Sequence, residues 1–248
     1  MIAVNKLSFS YNGKRVLYDI SFEIEEGRII SLSGPNGSGK TTLLKILSQI
    51  IKNYSGEIFI DGKNLKEYKK SEISQLISYV PSEVNTPFDF KVNDIILMGR
   101  IPYTGFLNSY SKKDYEVIKS ISRDIGINHI LDRYYNTLSN GEKQLVLLAQ
   151  SLSQGSKIVV MDEPTSHLDI KHKVRIFEIL KNEVKEKGLT VISVLHDLKL
   201  AKEFCDDVLF LKDGRLILKT RALQISENIS SIASIYDIGE ENCRKYIL

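Results

Sequence analysis

A glycine-rich loop between a predicted strand and a predicted helix constrains this chain more than any other stretch. It follows the apolar residues 29–32, precedes the apolar residues 43–47, and reads Gly34-Pro35-Asn36-Gly37-Ser38-Gly39-Lys40-Thr41-Thr42. The spacing matches G-x-x-x-x-G-K-[ST], in which small residues let successive backbone N–H groups point at one anion. The helix that follows adds the positive end of its dipole at the same place. The loop therefore predicts a binding site for the phosphates of a nucleoside triphosphate.

Two side chains of this loop are suited to bind the rest of the triphosphate. Lys40 would reach the β- and γ-phosphates, and the Thr41 hydroxyl would bind Mg²⁺. The alternative is an ordinary glycine turn ahead of a helix. The strand on one side and the helix on the other disfavour it.

Composition narrows the class of protein further. The 248 residues suit one large domain or a core with insertions, and a hydrophobic content of 42% is enough for a sizeable core. The net charge of +3 is spread over scattered Lys and Arg residues, so we expect no nucleic acid as partner. Cys205 and Cys243 lack metal or redox spacing, which indicates free thiols in a reducing compartment. Since neither a signal peptide nor an apolar run near the ~18 residues of a membrane span is found, we expect a cytoplasmic protein.

The first third of the chain is dominated by strand patterns. Strands are predicted over residues 2–32, with a hairpin turn at Asn12-Gly13, and over residues 57–60 and 77–80. Helices are predicted from the glycine-rich loop to about Ile51 and from about Lys66 to Leu76.

After residue 84 the spacing of apolar residues becomes helical. Helices are predicted over residues 92–98, 111–125 and 141–152, with Ser111 and Asp114 marking the start of the second and Gly126 its end. Pro87, Pro102 and Gly105 are predicted to lie in the loops between them. We interpret residues 84–153 as a helical insertion in a nucleotide-binding core.

Two acids end the next apolar run. Residues 158–161 are apolar and run into Asp162 and Glu163, which predicts a buried parallel strand with carboxylates at its carboxyl end. Open α/β sheets bind their ligands at that end. A second buried strand, residues 190–195, ends at His196.

The remaining predicted elements complete the fold class. They are a helix over residues 169–187, a hairpin of residues 208–211 and 215–218 around Asp213-Gly214, and a mostly helical tail over residues 222–248. The prediction is an α/β fold: a P-loop core over residues 1–221 with an N-terminal antiparallel β subdomain and the inserted helical subdomain, followed by the tail.

Three motifs follow the glycine-rich loop in a fixed order. They are Leu138-Ser139-Asn140-Gly141-Glu142, Asp162-Glu163-Pro164-Thr165-Ser166-His167-Leu168-Asp169, and His196. In this order they make the sequence resemble the ATP-binding subunits of ABC transporters, from Tyr11 to about Leu218. The resemblance implies an ABC nucleotide-binding domain that hydrolyses ATP with Mg²⁺ as cofactor.

The resemblance also implies roles for single residues. Asp162 would hold Mg²⁺ through water, opposite Thr41, and Glu163 would be the general base that deprotonates the attacking water. His196 would contact the γ-phosphate and hold Glu163 and the water in place. Tyr11 would stack on the adenine, although its local sequence alone favours an ordinary strand aromatic.

The signature residues Ser139, Asn140, Gly141 and Glu142 open a second predicted helix start that can bind an anion. In the family this second site faces the ATP of another chain, so two copies would enclose two ATP molecules head to tail. Asp169 would lie across that interface and couple the two sites. Hydrolysis would then separate the copies.

The sequence departs from the family pattern at two site positions. Asn140 replaces a glycine; because Asn tolerates left-handed backbone, we expect function to be kept. Ser82 replaces a glutamine that reaches Mg²⁺ and the attacking water. Serine is too short to span that gap directly, so it would act through a bridging water, or Glu83 would substitute. We expect slower or differently coupled hydrolysis.

Several segments resemble one importer branch, which takes up iron chelates, haem and cobalamin. They are Met98-Gly99-Arg100-Ile101-Pro102, Asn136-Thr137-Leu138-Ser139, residues 166–170 with His172, and His196-Asp197-Leu198; Lys173 and Lys199 depart from the usual residues. The branch implies a separate multi-span permease and an external binding protein, with this chain at the cytoplasmic face of the membrane. The permease would dock near residues 82–100, where Phe88 and Phe90 would either contact it or pack within the helical block.

Two other functions compete with import. A soluble ABC ATPase acting in cofactor assembly or macromolecular remodelling would share the motifs and need no permease. A phosphate-loop kinase would leave residues 138–142 unexplained. Co-purification of a multi-span permease would separate the first alternative from an importer.

Overall fold

Ten strands form two sheets in a computed structural model, which describes residues 1–84, 88–104, 109–166 and 168–247. The strands are β1 (Ile2–Tyr11), β2 (Lys14–Ile24), β3 (Ile29–Ser33), β4 (Ser55–Ile60), β5 (Lys63–Asn64), β6 (Ile77–Val80), β7 (Ile158–Met161), β8 (Thr190–Val194), β9 (Asp207–Lys212) and β10 (Arg215–Arg221). Four predictions lie outside the described residues: the loop positions Pro87 and Gly105, His167 of the second motif, and the end of the tail at Leu248.

The two sheets differ in strand direction. The first is antiparallel with the order β2-β1-β4-β5, as the predicted N-terminal β subdomain requires. The second has the order β10-β9-β3-β8-β7-β6, and its central strands are parallel. Only the β9–β10 hairpin adds an antiparallel edge to the part of this sheet that the structure describes. The α/β fold class is confirmed.

Nine helices connect or cover the strands in the described ranges. They are α1 (Lys40–Leu47), α2 (Lys70–Leu76), α3 (Val92–Met98), α4 (Lys112–Ile125), α5 (Asn140–Ser153), α6 (Ile170–Lys187), α7 (Leu198–Phe204), α8 (Ile229–Tyr236) and α9 (Glu240–Ile247). No helix among the described residues is long and apolar enough to span a membrane.

Two predicted helices end or begin elsewhere. The helix after the glycine-rich loop stops at Leu47 and not near Ile51, because Gln49 adopts a left-handed φ of 59°. The helix predicted from Lys66 begins only at Lys70. Before it lies a short 3₁₀ turn, where the Asn64 side chain accepts a hydrogen bond from the Lys66 N–H at 3.0 Å. Both errors have the same cause, since local backbone turns without glycine or proline leave little trace in the apolar pattern.

The parallel sheet separates two apolar cores. Alternate residues of each central strand enter opposite cores: in β7, Ile158 and Val160 pack toward α1 and the antiparallel sheet, whereas Val159 and Met161 pack toward the helices of the other side. All four side chains are buried, as expected for a parallel strand covered on both faces. This double cover fixes the carboxyl end of β7, where Asp162 follows.

The segment between β6 and β7 is held together by a buried ion pair. Arg100 Nε donates to Asp114 Oδ1 at 2.8 Å, and Arg100 Nη1 donates to the Ser153 carbonyl at 2.8 Å, which joins the ends of α3 and α5 to the start of α4. Hydrogen bonds from Ser111 and then from Arg100 lower the pKa of Asp114 to about 2. A Cβ at Gly99 would collide with Ser153. Gly99 therefore lets α3 approach α5 closely, and Arg100 joins the two helices to α4.

The tail docks on the core. Residues 222–247 contain a 3₁₀ turn (Ala222–Asn228), α8 and α9, and Ile225, Ile232 and Cys243 are buried in the core that includes α7 and β9. The Lys212 side chain ties the end of β9 to α8 through the Ser234 carbonyl at 2.8 Å. The division at residue 221 stays a prediction, because the tail packs as part of this core.

Candidate active site

The glycine-rich loop joins β3 to α1, as predicted. At two of its glycines, any residue with a Cβ would collide with its surroundings. Gly34 has a φ of 140°, and a Cβ there would collide with the Leu211 carbonyl of β9. Gly39 has a φ of 99°, and its Cβ would lie 2.6 Å from Leu17 Cδ2 of the antiparallel sheet. The backbone of one sheet and a side chain of the other therefore approach the loop closely and shape it.

Lys40 is buried and already bonded within the loop. Its Nζ donates to the carbonyl oxygens of Gly34 at 2.9 Å and Pro35 at 2.8 Å. Burial lowers the pKa of Lys40, although the charges of Glu163 and Asp162 act in the opposite direction. The ammonium group thus spans the concave face of the loop, where a phosphate anion would be bound.

One loop atom lacks a partner in the described ranges. The Ser38 hydroxyl is buried at 3% exposure, and no described atom hydrogen-bonds to it. A buried hydroxyl without a partner is unfavourable by roughly 1–3 kcal/mol unless a ligand or water satisfies it. The loop is therefore more complete with an anion than without one.

Thr41 and Asp162 are brought together as predicted. Thr41 Oγ1 donates to Asp162 Oδ1 at 3.0 Å, and the Asp162 carboxylate is buried at the carboxyl end of β7. A hydroxyl and a carboxylate oxygen are the ligand types that Mg²⁺ takes beside phosphate oxygens and water. The residues present therefore fit a Mg²⁺ ion that is brought in with nucleotide.

Tyr79, which was not among the predicted site residues, also contacts Asp162. Its Oη donates to Asp162 Oδ2 at 3.2 Å, so both carboxylate oxygens accept a hydrogen bond. Burial and then the charge of Asp162 raise the pKa of Tyr79, which keeps the phenol protonated as a donor. The signal was available: Tyr79 lies near the carboxyl end of β6, the strand beside β7.

Glu163 is held by two side chains. His196 Nε2 lies 2.9 Å from Glu163 Oε1, and Ser166 Oγ donates to Oε2 at 2.9 Å. Burial alone would raise the pKa of Glu163, but the hydrogen bonds from His196 and Ser166, with the charges of His196 and Lys40, outweigh it and lower that pKa. The carboxylate is therefore kept ionised, in the form that can accept a proton.

The backbone of Glu163 is in an unusual conformation. Its φ is 50°, in the left-handed region that residues other than glycine rarely adopt. Such strain persists only where surrounding contacts hold it and is common at functional sites. Here it turns the chain sharply after β7, and the Glu163 side chain meets His196 from the end of β8.

The cleft has a volume of about 720 Å³, large enough for a nucleotide. Its lining comes from the glycine-rich loop, one residue of β2, the second acid with a serine after it, and the histidine: Val16, Asn36, Gly37, Gly39, Lys40, Thr41, Thr42, Glu163, Ser166 and His196. Tyr11 is not part of this lining. It lies at the β1–β2 hairpin with 45% of its surface exposed and packs edge-on against Phe9 at 4.6 Å between ring centroids. Its stacking on adenine stays a prediction.

The signature residues form the start of α5. Ser139 is the N-cap, and its Oγ accepts a hydrogen bond from the Glu142 N–H at 3.3 Å. Glu142 Oε2 in turn accepts from the Ser139 N–H at 2.8 Å and the Ser139 hydroxyl at 2.9 Å. Arg133 pairs with Glu142 at 3.2 Å. This helix start is a closed capping box.

Ser82 lies near α5 and not in the nucleotide cleft. With Asn140, Gln144 and Ser166 it lines a separate cavity of about 150 Å³ between β6, α5 and the segment before α6. The buried Gln144 Nε2 has no hydrogen-bond partner among the described residues. Ser166 lines both this cavity and the nucleotide cleft. The cavity therefore connects Ser82 with Ser166, the residue that donates to Glu163.

Asp169 caps α6. Its Oδ1 accepts a hydrogen bond from the His172 N–H at 2.9 Å and lies 2.9 Å from the ring atom His172 Nδ1. The imidazole of His172 also lies against Gly141 at the start of α5. In the sequence His172 belongs only to the importer-branch pattern, because its contact with Gly141 depends on how α5 and α6 meet.

Known proteins similar to this chain include ATP-binding subunits of ABC transporters. A family model described as ABC transporter matches residues 17–166. The petrobactin import ATP-binding protein YclP of Bacillus subtilis is 34% identical over 238 residues, which cover 96% of this chain and 93% of YclP. The uncharacterized ABC transporter ATP-binding protein YvrA of the same bacterium is 33% identical over 93% of this chain, which spans 52% of YvrA.

Two solved structures match at the level of the whole chain. A metal-chelate type ABC transporter in an inward-facing conformation has a TM-score of 0.81 at 26% identity, over 94% of this chain and 88% of that one. The dimeric form of the bacterial ABC transporter cassette MJ0796 has a TM-score of 0.78 at 26% identity, over 90% of this chain and 99% of that one.

Proposed function

Since the chain belongs to the ABC transporter family and is an ATP-hydrolysing transport ATPase, we propose that it drives the import of a metal chelate through a separate membrane permease. ATP hydrolysis is supported by one observation: the cleft brings together Lys40, the Thr41–Asp162 pair and the Glu163–His196 pair. The import part is supported by the names of its relatives, YclP among them.

Within the cleft, different residues of this chain have different roles. The loop backbone and Lys40 bind the phosphates. Thr41 and Asp162 would hold Mg²⁺, which supplies charge neutralisation for the leaving phosphate when bound. Glu163 Oε1 or Oε2 accepts a proton from the attacking water, and His196 orients that carboxylate. Tyr79 and Ser166 keep the two acids in place.

A second copy of the chain completes the proposed site. Ser139 and the start of α5 would bind the γ-phosphate held by the partner copy, and Asp169 would contact the same interface. The dimeric MJ0796 cassette supports this arrangement. ATP would then close the pair, and hydrolysis would release it.

The permease would dock near residues 82–100. Phe88 is 68% exposed and lies 6.2 Å from Phe90 between ring centroids, whereas Phe90 packs against the core. Of the alternatives left open by the sequence, we therefore propose contact with the permease for Phe88 and packing for Phe90. Such a partner would place the chain at the cytoplasmic face of the membrane, with an external binding protein delivering the metal chelate.

The decisive experiment is to measure the molar mass in solution of the Glu163→Gln variant with MgATP. We expect a stable dimer, because nucleotide is bound but not hydrolysed, and loss of ATPase activity by about 10²–10⁴-fold. Wild-type activity should rise more than linearly with protein concentration. Monomers under all conditions, with turnover insensitive to dilution, would contradict the proposed shared site.

The import role needs a separate measurement. Affinity-tagged chain is isolated from its native membrane extract with a mild detergent. Recovery of a multi-span permease supports import, and Phe88→Ala should weaken that recovery whereas the packed Phe90 serves as a comparison site. Recovery of soluble partners alone would favour the cofactor-assembly function.

A further inference from the structure

The two elements that would face a second copy also contact each other within one chain. The start of α5 carries the signature residues, and Asp169 caps α6 from the preceding segment. Their contact passes through the His172 ring. Among the residues that the structure describes, the His172 imidazole thus lies between the two elements that would face the partner.

His172 is fixed on the Asp169 side by two bonds. The backbone N–H of His172 donates to Asp169 Oδ1 at 2.9 Å, and ring Nδ1 lies 2.9 Å from the same oxygen. A carboxylate only accepts, so the second bond places the hydrogen of the neutral ring on Nδ1. These bonds, backbone first, lower the pKa of Asp169 and keep its carboxylate ionised as an acceptor.

On the other side the ring leaves no space beside Gly141. A Cβ at Gly141 would lie 2.5 Å from His172 Cδ2 and 2.7 Å from both Cγ and Nε2. Real Cβ contacts are never this short, so any side chain at position 141 would push the ring, and Asp169 with it, away from α5. The backbone of Gly141 has no positive φ that would itself demand glycine.

We propose that His172 is a positioning residue that holds the signature start of α5 and Asp169 at a fixed distance, so that both engage the second copy together. This inference rests on the proposed function, because it assumes that both elements meet a partner. It gives Gly141 a reason within one chain: glycine is needed there because the imidazole occupies the space that a Cβ would fill.

A substitution cycle tests whether the imidazole is what requires glycine at position 141. The variants are Gly141→Ala, His172→Ala and the double variant, with Lys171→Ala as control on an exposed neighbour in the same helical turn. Each is made in the Glu163→Gln background for MgATP-dependent dimerisation and in the wild type for kcat and KM. Binding of a fluorescent ATP analogue to the monomer, and thermal unfolding, are measured in parallel.

We expect His172→Ala to weaken dimerisation by about 10- to 100-fold, the scale of a displacement of about 1 Å in a site. Monomer nucleotide affinity and the Lys171→Ala control should be unchanged. His172→Asn should restore most of the loss, because its side-chain amide can donate to Asp169 from near the position of Nδ1. A merely stabilising residue would change the melting temperature without this rescue pattern.

Gly141→Ala should be severely impaired, and adding His172→Ala should bring it back to the level of His172→Ala alone. A double variant as poor as Gly141→Ala would overturn the inference, as would a His172→Ala chain that dimerises like its parent. Failure of the Glu163→Gln parent itself to dimerise would contradict the proposed function together with this inference. The two failures are therefore distinguishable.

Discussion

The starts of α1 and α5 are both suited to bind phosphate, but they differ in what occupies them. Helix α1 begins after Gly39, which offers no side chain, and no side-chain cap bond forms there. Helix α5 begins with Ser139, which is engaged in a capping box with Glu142. The first is open to a ligand, whereas the second is closed by its own residues.

This difference indicates how the two sites would work in sequence. An N-cap contributes about 1 kcal/mol, while a hydrogen bond to a charged group contributes about 1.5–3 kcal/mol. A phosphate can therefore displace the Ser139–Glu142 cap, but only when a partner delivers it at short range. The open start would bind ATP in the single chain, and the closed start would respond only to the second copy.

The largest effect is expected at the open start. Lys40→Ala should lower kcat/KM by at least about 100-fold and weaken nucleotide binding by the single chain, because it removes the charge that faces the phosphates. Steady-state ATPase assays and fluorescent-nucleotide titration measure this. Lys45→Ala, later on the same helix, is the matched control. Equal nucleotide affinity in both variants would contradict a role for the Lys40 charge in binding nucleotide.

The next effect is expected at the closed start, with a different pattern. Ser139→Ala should lower kcat by about 100-fold and destabilise the fold by about 1 kcal/mol, yet leave nucleotide affinity of the monomer unchanged. Ser139→Thr keeps the hydroxyl cap and should retain stability. Loss of monomer affinity in Ser139→Ala would show that the two helix starts are not separate in function.

A smaller effect of opposite sign is expected from Glu142→Gln. Glutamine can still complete a capping box, but it removes a negative charge from a helix start that must receive phosphate. Dimerisation of the Glu163→Gln background should therefore tighten by about 2- to 5-fold, equivalent to about 0.3–1 kcal/mol of charge interaction at a helix end. Sedimentation with MgATP measures the change. Weakened dimerisation would mean that the cap stays closed in the complex.

The smallest effect concerns pH. The pKa of Glu163 is lowered, so the base stays ionised, and activity should persist as pH falls until it passes below the usual carboxyl range. Ser166→Ala removes one bond to the carboxylate and should shift the acidic limb of the kcat profile to higher pH, with little change near pH 7. An unshifted limb would show that His196 alone sets this pKa.

The sequence was most informative where local chemistry decides the structure. Helix α4 starts after Ser111 and ends before Gly126, as predicted. A capping serine and a left-handed glycine act through their own backbone neighbours, so their effect can be read from the local sequence. The approach of Glu163 and His196 was also predictable, since parallel strands bring their carboxyl ends to one edge.

Contacts between distant segments were not predictable in the same way. Tyr79, Ser166 and His172 each support a site residue, and each does so through a side-chain direction set by packing. The collision of a Cβ at Gly141 with His172 depends on the crossing of α5 and α6, which no periodicity in either segment encodes. Apolar spacing predicts that helices pack, but not which pair of residues touches.

The bonds from Lys40 to the carbonyl oxygens of Gly34 and Pro35 have a consequence for repeated turnover. When product leaves, the ammonium group can return to these oxygens, and the empty loop keeps its shape instead of collapsing. Each new nucleotide then meets a rigid receptor, and the entropy of ordering that segment is lost once, when the polypeptide folds, and not again in every cycle.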